Sequence, residues 1–109
     1  MTPDPDGHRW QMLAARVLVD LETEATRTDL PVLGWTISGA RLLGRPLPSR
    51  PAEEILTAWQ AWTHHLDAEP AEEHTTPLGT RVLRSSAARS PGPGHIDVKV
   101  TLVAELLDQ

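Results

Sequence analysis

The chain has no cysteine, no phenylalanine and no tyrosine, and only one lysine, Lys99, among its ten basic residues. Without thiols there can be no disulfide, no thiolate metal site and no cysteine nucleophile. Without phenylalanine or tyrosine, a sheet that stacks nucleic-acid bases would have to use tryptophan. The four tryptophans, Trp10, Trp35, Trp59 and Trp62, read instead as core markers. Each can bury roughly 200 Å² if its indole N–H finds an acceptor. No apolar run approaches the ~18 residues that would cross a bilayer. The first ten residues, MTPDPDGHRW, are acidic and proline-rich where a signal peptide would be basic and then apolar, so a cytoplasmic protein is expected. The net charge of −5 is spread along the chain and speaks against a generic nucleic-acid binder.

What is present is enough for one domain. A chain of 109 residues can bury roughly two-thirds of its unfolded surface around a single core. Residues 1–7 read as a mobile lead-in and residues 8–109 as the domain, with Asp6 as the N-cap of a first helix. From His8 to about Glu24 the apolar positions Trp10, Leu13, Ala14, Val17 and Leu21 form a helical stripe widened by Leu18. Met12, Ala15 and Val19 make a second, narrower strip on which a second copy of the chain could dock.

Thr28, Asp29 and Pro31 break that helix, and the period then changes from 3.6 to 2. Leu33, Trp35 and Ile37 alternate with small polar residues up to Gly39, and Ala40, Leu42 and Gly44 alternate with Arg41, Leu43 and Arg45. A two-residue turn at Ser38 and Gly39 would pair Ile37 with Ala40, Trp35 with Leu42 and Leu33 with Gly44, all on one face. Gly44 has the look of a position kept small for steric reasons. Pro51 to Leu66 is the clearest amphipathic helix, with Ile55, Trp59, Trp62 and Leu66 on one side. Pro51 suits its first helical position, Glu53 and Glu54 the positive end of its dipole, and His64 and His65 the negative end.

The acidic stretch from Asp67 to Gly79 shows no period and reads as a loop. Thr80 to Ala88 is a strand with Leu83, Ser85 and Ala87 inward. After the flexible Ser90 to Gly94 connection comes the best strand, with Ile96, Val98, Val100, Leu102, Ala104 and Leu106 on one face and Asp97, Lys99, Thr101, Val103 and Glu105 on the other. The expected fold is α+β in the order α-β-β-α-β-β, a four-stranded, mainly antiparallel sheet with both helices packed on one face.

The reactive residues have structural readings at hand. His64, His65, Asp67, Glu69, Glu72, Glu73 and His74 are metal-ligand types, but adjacent histidines diverge by roughly 100° on a helix and no HExxH motif occurs, so no cofactor or metal is assigned. Ser38, Ser85, Ser86 and Ser90 lack a G-x-S-x-G context. Neither GxGxxG nor GxxxxGK[ST] is present. Glu53-Glu54 and Glu72-Glu73 serve a helix start and a solvated loop.

The expected function is therefore non-enzymatic protein recognition, with a homodimer or adaptor using the open sheet face through Arg41, Leu43, Arg45, Arg84, Lys99 and Val103. The edge of the Ile96–Leu106 strand is a further docking candidate. The alternative is nucleic-acid regulation through a basic strip of Arg41, Arg45, Arg81, Arg84 and Lys99, with Arg50 and Arg89 at its margins. Metal binding by His64, His65 and His74 is a second alternative.

The stretch LPVLGWTISGARLLGRPL with the Ala/Trp-rich helix after it, Leu30 to Leu66, resembles short uncharacterised proteins of actinobacterial, high-GC genomes. The resemblance implies a small accessory or regulatory role. In layout, helix-hairpin-helix-hairpin is similar to small dimeric adaptor and secretion-chaperone folds.

Overall fold

The computed structural model describes residues 5–47 and 50–107; Met1 to Asp4 of the expected lead-in lie outside them. The elements are α1 (Pro5–Thr28), β1 (Leu33–Ser38), β2 (Arg41–Pro46), α2 (Ala52–His65), β3 (Glu72–Thr75), β4 (Thr80–Arg89) and β5 (Val98–Leu107). The α+β class is as expected, but there are five strands, ordered β1-β2-β5-β4-β3. One neighbouring pair, β2 with β5, is parallel. The extra strand is β3, whose Glu-Glu-His-Thr sequence is exposed throughout. It joins β4 through main-chain ladder bonds, which side-chain periodicity cannot report.

The strand assigned last in the chain lies centrally, because β5 is the one whose residues are apolar on both sides at its middle. Val98, Val100, Leu102, Ala104 and Leu106 face the helices and are buried. One hydrogen-bonding edge is occupied by β4 from Val98 to Leu107 and the other by β2 over Lys99 to Leu102, so the expected docking edge of the Ile96–Leu106 strand is taken up within the sheet along that stretch. Ile96 is 69% exposed, since the β4–β5 ladder closes at Arg89 opposite Val98 and leaves it unpaired.

Both helices cover one face. From α1 come Leu13, Ala14, Val17, Leu21 and Ala25, from α2 come Ile55, Trp59 and Trp62 with Leu66 just beyond, and all join one cluster with the inner residues of the sheet. Helix α1 is longer than its apolar stripe. It takes in Pro5, which suits a first turn, and Asp6, which is therefore helical and not a cap. At the other end the Thr23, Thr26 and Thr28 hydroxyls donate to the carbonyls of Val19, Glu22 and Glu24 and stay within the helix. Pro51 is the N-cap of α2, with φ −58° and ψ 150°, one position before the expected one.

Both helices stop on an aspartate in the left-handed region, Asp29 with φ 56° and Asp67 with φ 49°. Leu30 N–H then reaches the Ala25 carbonyl at 3.0 Å, and Ala68 N–H the Thr63 carbonyl at 3.0 Å with Asp67 N–H to His64 O at 3.1 Å. These are Schellman closures, in which glycine is the usual occupant. Here an acid carries the Cβ strain and also stands at the negative end of the dipole.

The β1–β2 hairpin has the expected inner face in a different register. Ile37 lies opposite Leu42, Trp35 opposite Gly44 and Leu33 opposite Pro46. The turn is Gly39-Ala40, not Ser38-Gly39, because Gly39 with φ 57° supplies the left-handed residue at the first turn position. Moving the turn by one residue shifts each partner by two, which preserves the faces. Gly44 thus sits under the Trp35 ring, where a Cβ would come within 2.8 Å of Trp35 Cζ3 and 3.1 Å of Leu102 Cδ2.

Gly44→Ala should destabilise the fold by about 1–3 kcal/mol, as overpacking does, measured by denaturant unfolding. Asp29→Gly and Asp67→Gly should each stabilise it by up to about 1 kcal/mol, seen as a rise in Tm.

Candidate interaction face and the Glu24 cluster

The sheet face turned away from the helices is laid out in rows by the strand registers. One row runs Ser38, Arg41, Lys99, Ala88. The next runs Thr36, Leu43, Thr101, Ser86. The third takes in Gly34 and Arg45 on the β1–β2 side and Val103, Arg84 and Glu72 on the β5–β4–β3 side. A trough of aliphatic and hydroxyl side chains is therefore bordered on both sides by cations. Ser86 Oγ and Thr101 Oγ1 are 3.4 Å apart along its floor.

The six residues expected to meet on this face do share it, with one difference. Val103 is only 4% exposed. It lies with Arg45 and Glu105 around a small hollow, and those two side chains pair at 3.5 Å. Arg84 stands directly across from it. Long charged side chains cover short apolar neighbours with their methylene stems, so Val103 is floor and not contact surface. Leu43 is half-buried, and Arg41, Arg45, Arg84 and Lys99 are exposed.

Among the described residues, Arg41, Arg84 and Lys99 have no ion-pair partner. Arg41 and Lys99 are moreover register neighbours, a like-charge placement that costs stability. The broader basic strip is divided. Arg81 falls on the inner-face parity of β4 and pairs with Glu73 at 2.6 Å. Arg50 pairs with Glu54 at 3.5 Å, and Arg89 with Glu24 at 3.1 Å.

Glu24, His65 and Arg89 form the cluster that sequence reading missed. One carboxylate oxygen of Glu24 accepts from His65 Nε2 at 2.8 Å and the other from Arg89 at 3.1 Å, joining α1, α2 and β4. Since a carboxylate only accepts, Nε2 of His65 carries the proton. The His65 ring also meets Trp62 edge-on, with centroids 6.1 Å apart. Burial pushes the Glu24 carboxyl up, but the His65 hydrogen bond and the Arg89 charge outweigh it and hold the pKa below the ordinary carboxylate value. Beside the cluster is a polar depression of about 340 Å³ lined by Asp20, Thr23, Glu24, Arg27, Arg89 and Ser90 among others. The sequence marks His65 as a dipole-favoured helix end and a possible metal ligand; its carboxylate partner lies 41 residues away and no local pattern announces it.

The three histidines expected as possible ligands do not converge. His65 is held by Glu24, His64 borders a separate hollow with Trp59, Asp67 and Glu69, and His74 is exposed on β3. Among the described residues no group of three or more histidine, aspartate or glutamate side chains is placed to hold a metal ion. Two of the candidate serines are engaged structurally: Ser85 donates to the Glu69 carbonyl and Ser90 to the Gly92 carbonyl. A concavity of about 610 Å³ lies between residues 29–32 and the first turns of α2, with Asp29, Glu53 and Glu54 in its lining. No helix among the described residues is long and apolar enough to cross a membrane. No protein-family model, curated protein or solved structure matches the chain.

The Glu24 carboxyl titrates lower in the folded state than in the unfolded one, so its stabilising contribution is complete above the unfolded pKa and is lost as pH falls through the folded one. Glu24→Gln should therefore lower stability at neutral pH and reduce the loss on acidification below the usual carboxylate range, read from Tm against pH.

Proposed function

We propose that the protein is a small, non-enzymatic interaction module of the cytoplasm, an adaptor or regulatory accessory, and that its outer sheet face takes an acidic protein segment. The observation that carries this reading is the trough through Leu43, Thr101 and Ser86 with unpaired Arg41 and Lys99 on one side and unpaired Arg84 on the other. Cations kept adjacent and unpaired, on a chain whose net charge is −5, cost stability unless an outside anion compensates them. An extended segment crossing the strands would lay its apolar side chains on Leu43 and its carboxylates between the flanking cations.

A nucleic-acid strand could use the same cations through its phosphates, but the four indoles, which would be its stacking platform, belong to the opposite side of the sheet. The protein segment is therefore the better fit.

Titration with glutamate- and aspartate-rich peptides should shift the amide resonances of Arg41, Leu43, Lys99 and Thr101. Arg41→Glu and Lys99→Glu should each weaken that binding about tenfold, the scale on which a charge contact acts. No binding at low salt, or binding indifferent to both changes, would overturn the reading. Salt-sensitive binding of single-stranded nucleic acid, weakened by Arg41→Ala and Arg45→Ala, would replace it with the phosphate alternative.

A further inference from the structure

The sheet has two free edges, and their chemistry is opposite. The β3 edge is four residues long and carries Glu72 and Glu73, a charged, short edge of the kind that resists pairing with another chain. The β1 edge, Leu-Gly-Trp-Thr-Ile-Ser, is six residues long and has no charge and no proline. It is preceded by Val32, which is 68% exposed.

In a two-residue hairpin the residues flanking the turn exchange both main-chain hydrogen bonds, and bonding and non-bonding pairs then alternate. Ser38 and Arg41 flank this turn. Thr36 and Gly34 therefore bond towards β2, and Leu33, Trp35 and Ile37 turn their N–H and C=O groups outward. These outward positions are symmetric about Trp35, with one aliphatic residue, Leu33 or Ile37, two places to either side.

The wall above the edge is built by α1. Glu22 accepts the Trp35 indole N–H at 3.0 Å, which places that side of α1 over β1. Leu18 and Ala15, four and seven residues before Glu22, stack on the same side. Both are only half-buried, so the wall is largely apolar and partly open. Val19, 64% exposed, stands at its upper rim.

From these two features we infer that the protein self-associates by antiparallel pairing of β1 with β1 of a second copy about a two-fold axis at Trp35, with the Ala15–Leu18 sides of the two α1 helices closing over the seam. Trp35 then pairs with its own copy and Leu33 with Ile37, each pair exchanging both hydrogen bonds. The occupant is a second copy because the edge is uncharged and its outward positions are symmetric about Trp35, with an aliphatic residue to either side, and because pairing β1 with β3 of another molecule would leave edges open and propagate. A strand edge alone is too small for a stable dimer, which takes roughly 800 Å² from each partner. The adjoining α1 wall enlarges the contact on the same side. A two-fold axis perpendicular to the sheet keeps both outer faces on one side, so the inference is independent of what those faces bind.

The test uses the full chain. Light scattering should give twice the monomer mass, falling to the monomer on dilution. Hydrogen exchange at the Leu33, Trp35 and Ile37 amides should accelerate about tenfold or more over that dilution, as an edge released from pairing would, while exchange at β3 stays constant. Ala15→Glu and, separately, Ile37→Pro, which removes an outward donor an edge strand can spare, should give monomers with unchanged circular dichroism. Leu43→Arg should leave the dimer intact. A monomer at all concentrations, a dimer whose β1 amides exchange freely, or a dimer dissociated by Leu43→Arg would each overturn the inference; the last would place the seam on the outer face.

Discussion

Two indoles on α2 need both a dry volume and an acceptor for their N–H groups, and the rest of the structure is arranged around supplying them. Trp62, fully buried, donates to the Pro31 carbonyl at 2.7 Å. Trp59 donates to the Leu102 carbonyl at 3.0 Å. The first bond ties α2 to the segment between α1 and β1, and the second ties it to the middle of the central strand. An unsatisfied buried indole would cost about 1–3 kcal/mol, so these bonds fix where α2 lies as well as which side it buries. The helix joins the two halves of the fold at their most apolar points.

Trp35 extends the same layer towards the free edge. Its ring meets Trp62 edge-on, with centroids 5.4 Å apart, and is accommodated by the absence of a side chain at Gly44. Its N–H is satisfied by Glu22 of α1. A residue near the rim thus couples α1, β1 and β2 without being fully buried. The edge that carries it is orderly yet unprotected, in contrast to the acidic β3 edge.

Charge is sorted between the two sides of the sheet. On the helical side, cations that could have formed one basic strip are each held by an acid: Arg89 by Glu24 and Arg81 by Glu73. On the open side, Arg45 is held by Glu105, and Arg41, Lys99 and Arg84 are left to solvent. Composition records only the net −5; the local surplus of positive charge arises because strand pairing places residues from distant segments side by side.

Periodicity alone determined much of this protein. The stripe on α2, the inner residues of β5, and Leu83 and Ser85 of β4 were legible because a side chain's direction follows from its spacing within one element. The parity of the β1–β2 hairpin was legible for the same reason, although its turn was displaced by the left-handed requirement met at Gly39. Whatever depends on contact between elements was decided by the tertiary structure. β3 exists because β4 offers it a main-chain ladder, β5 became central because it is apolar on both sides at its middle, and Val103 was buried by neighbours from β2 and β4. The Glu24–His65–Arg89 cluster joins residues up to 65 positions apart. Local spacing encodes which way a side chain points, whereas what it meets there depends on where the chain returns.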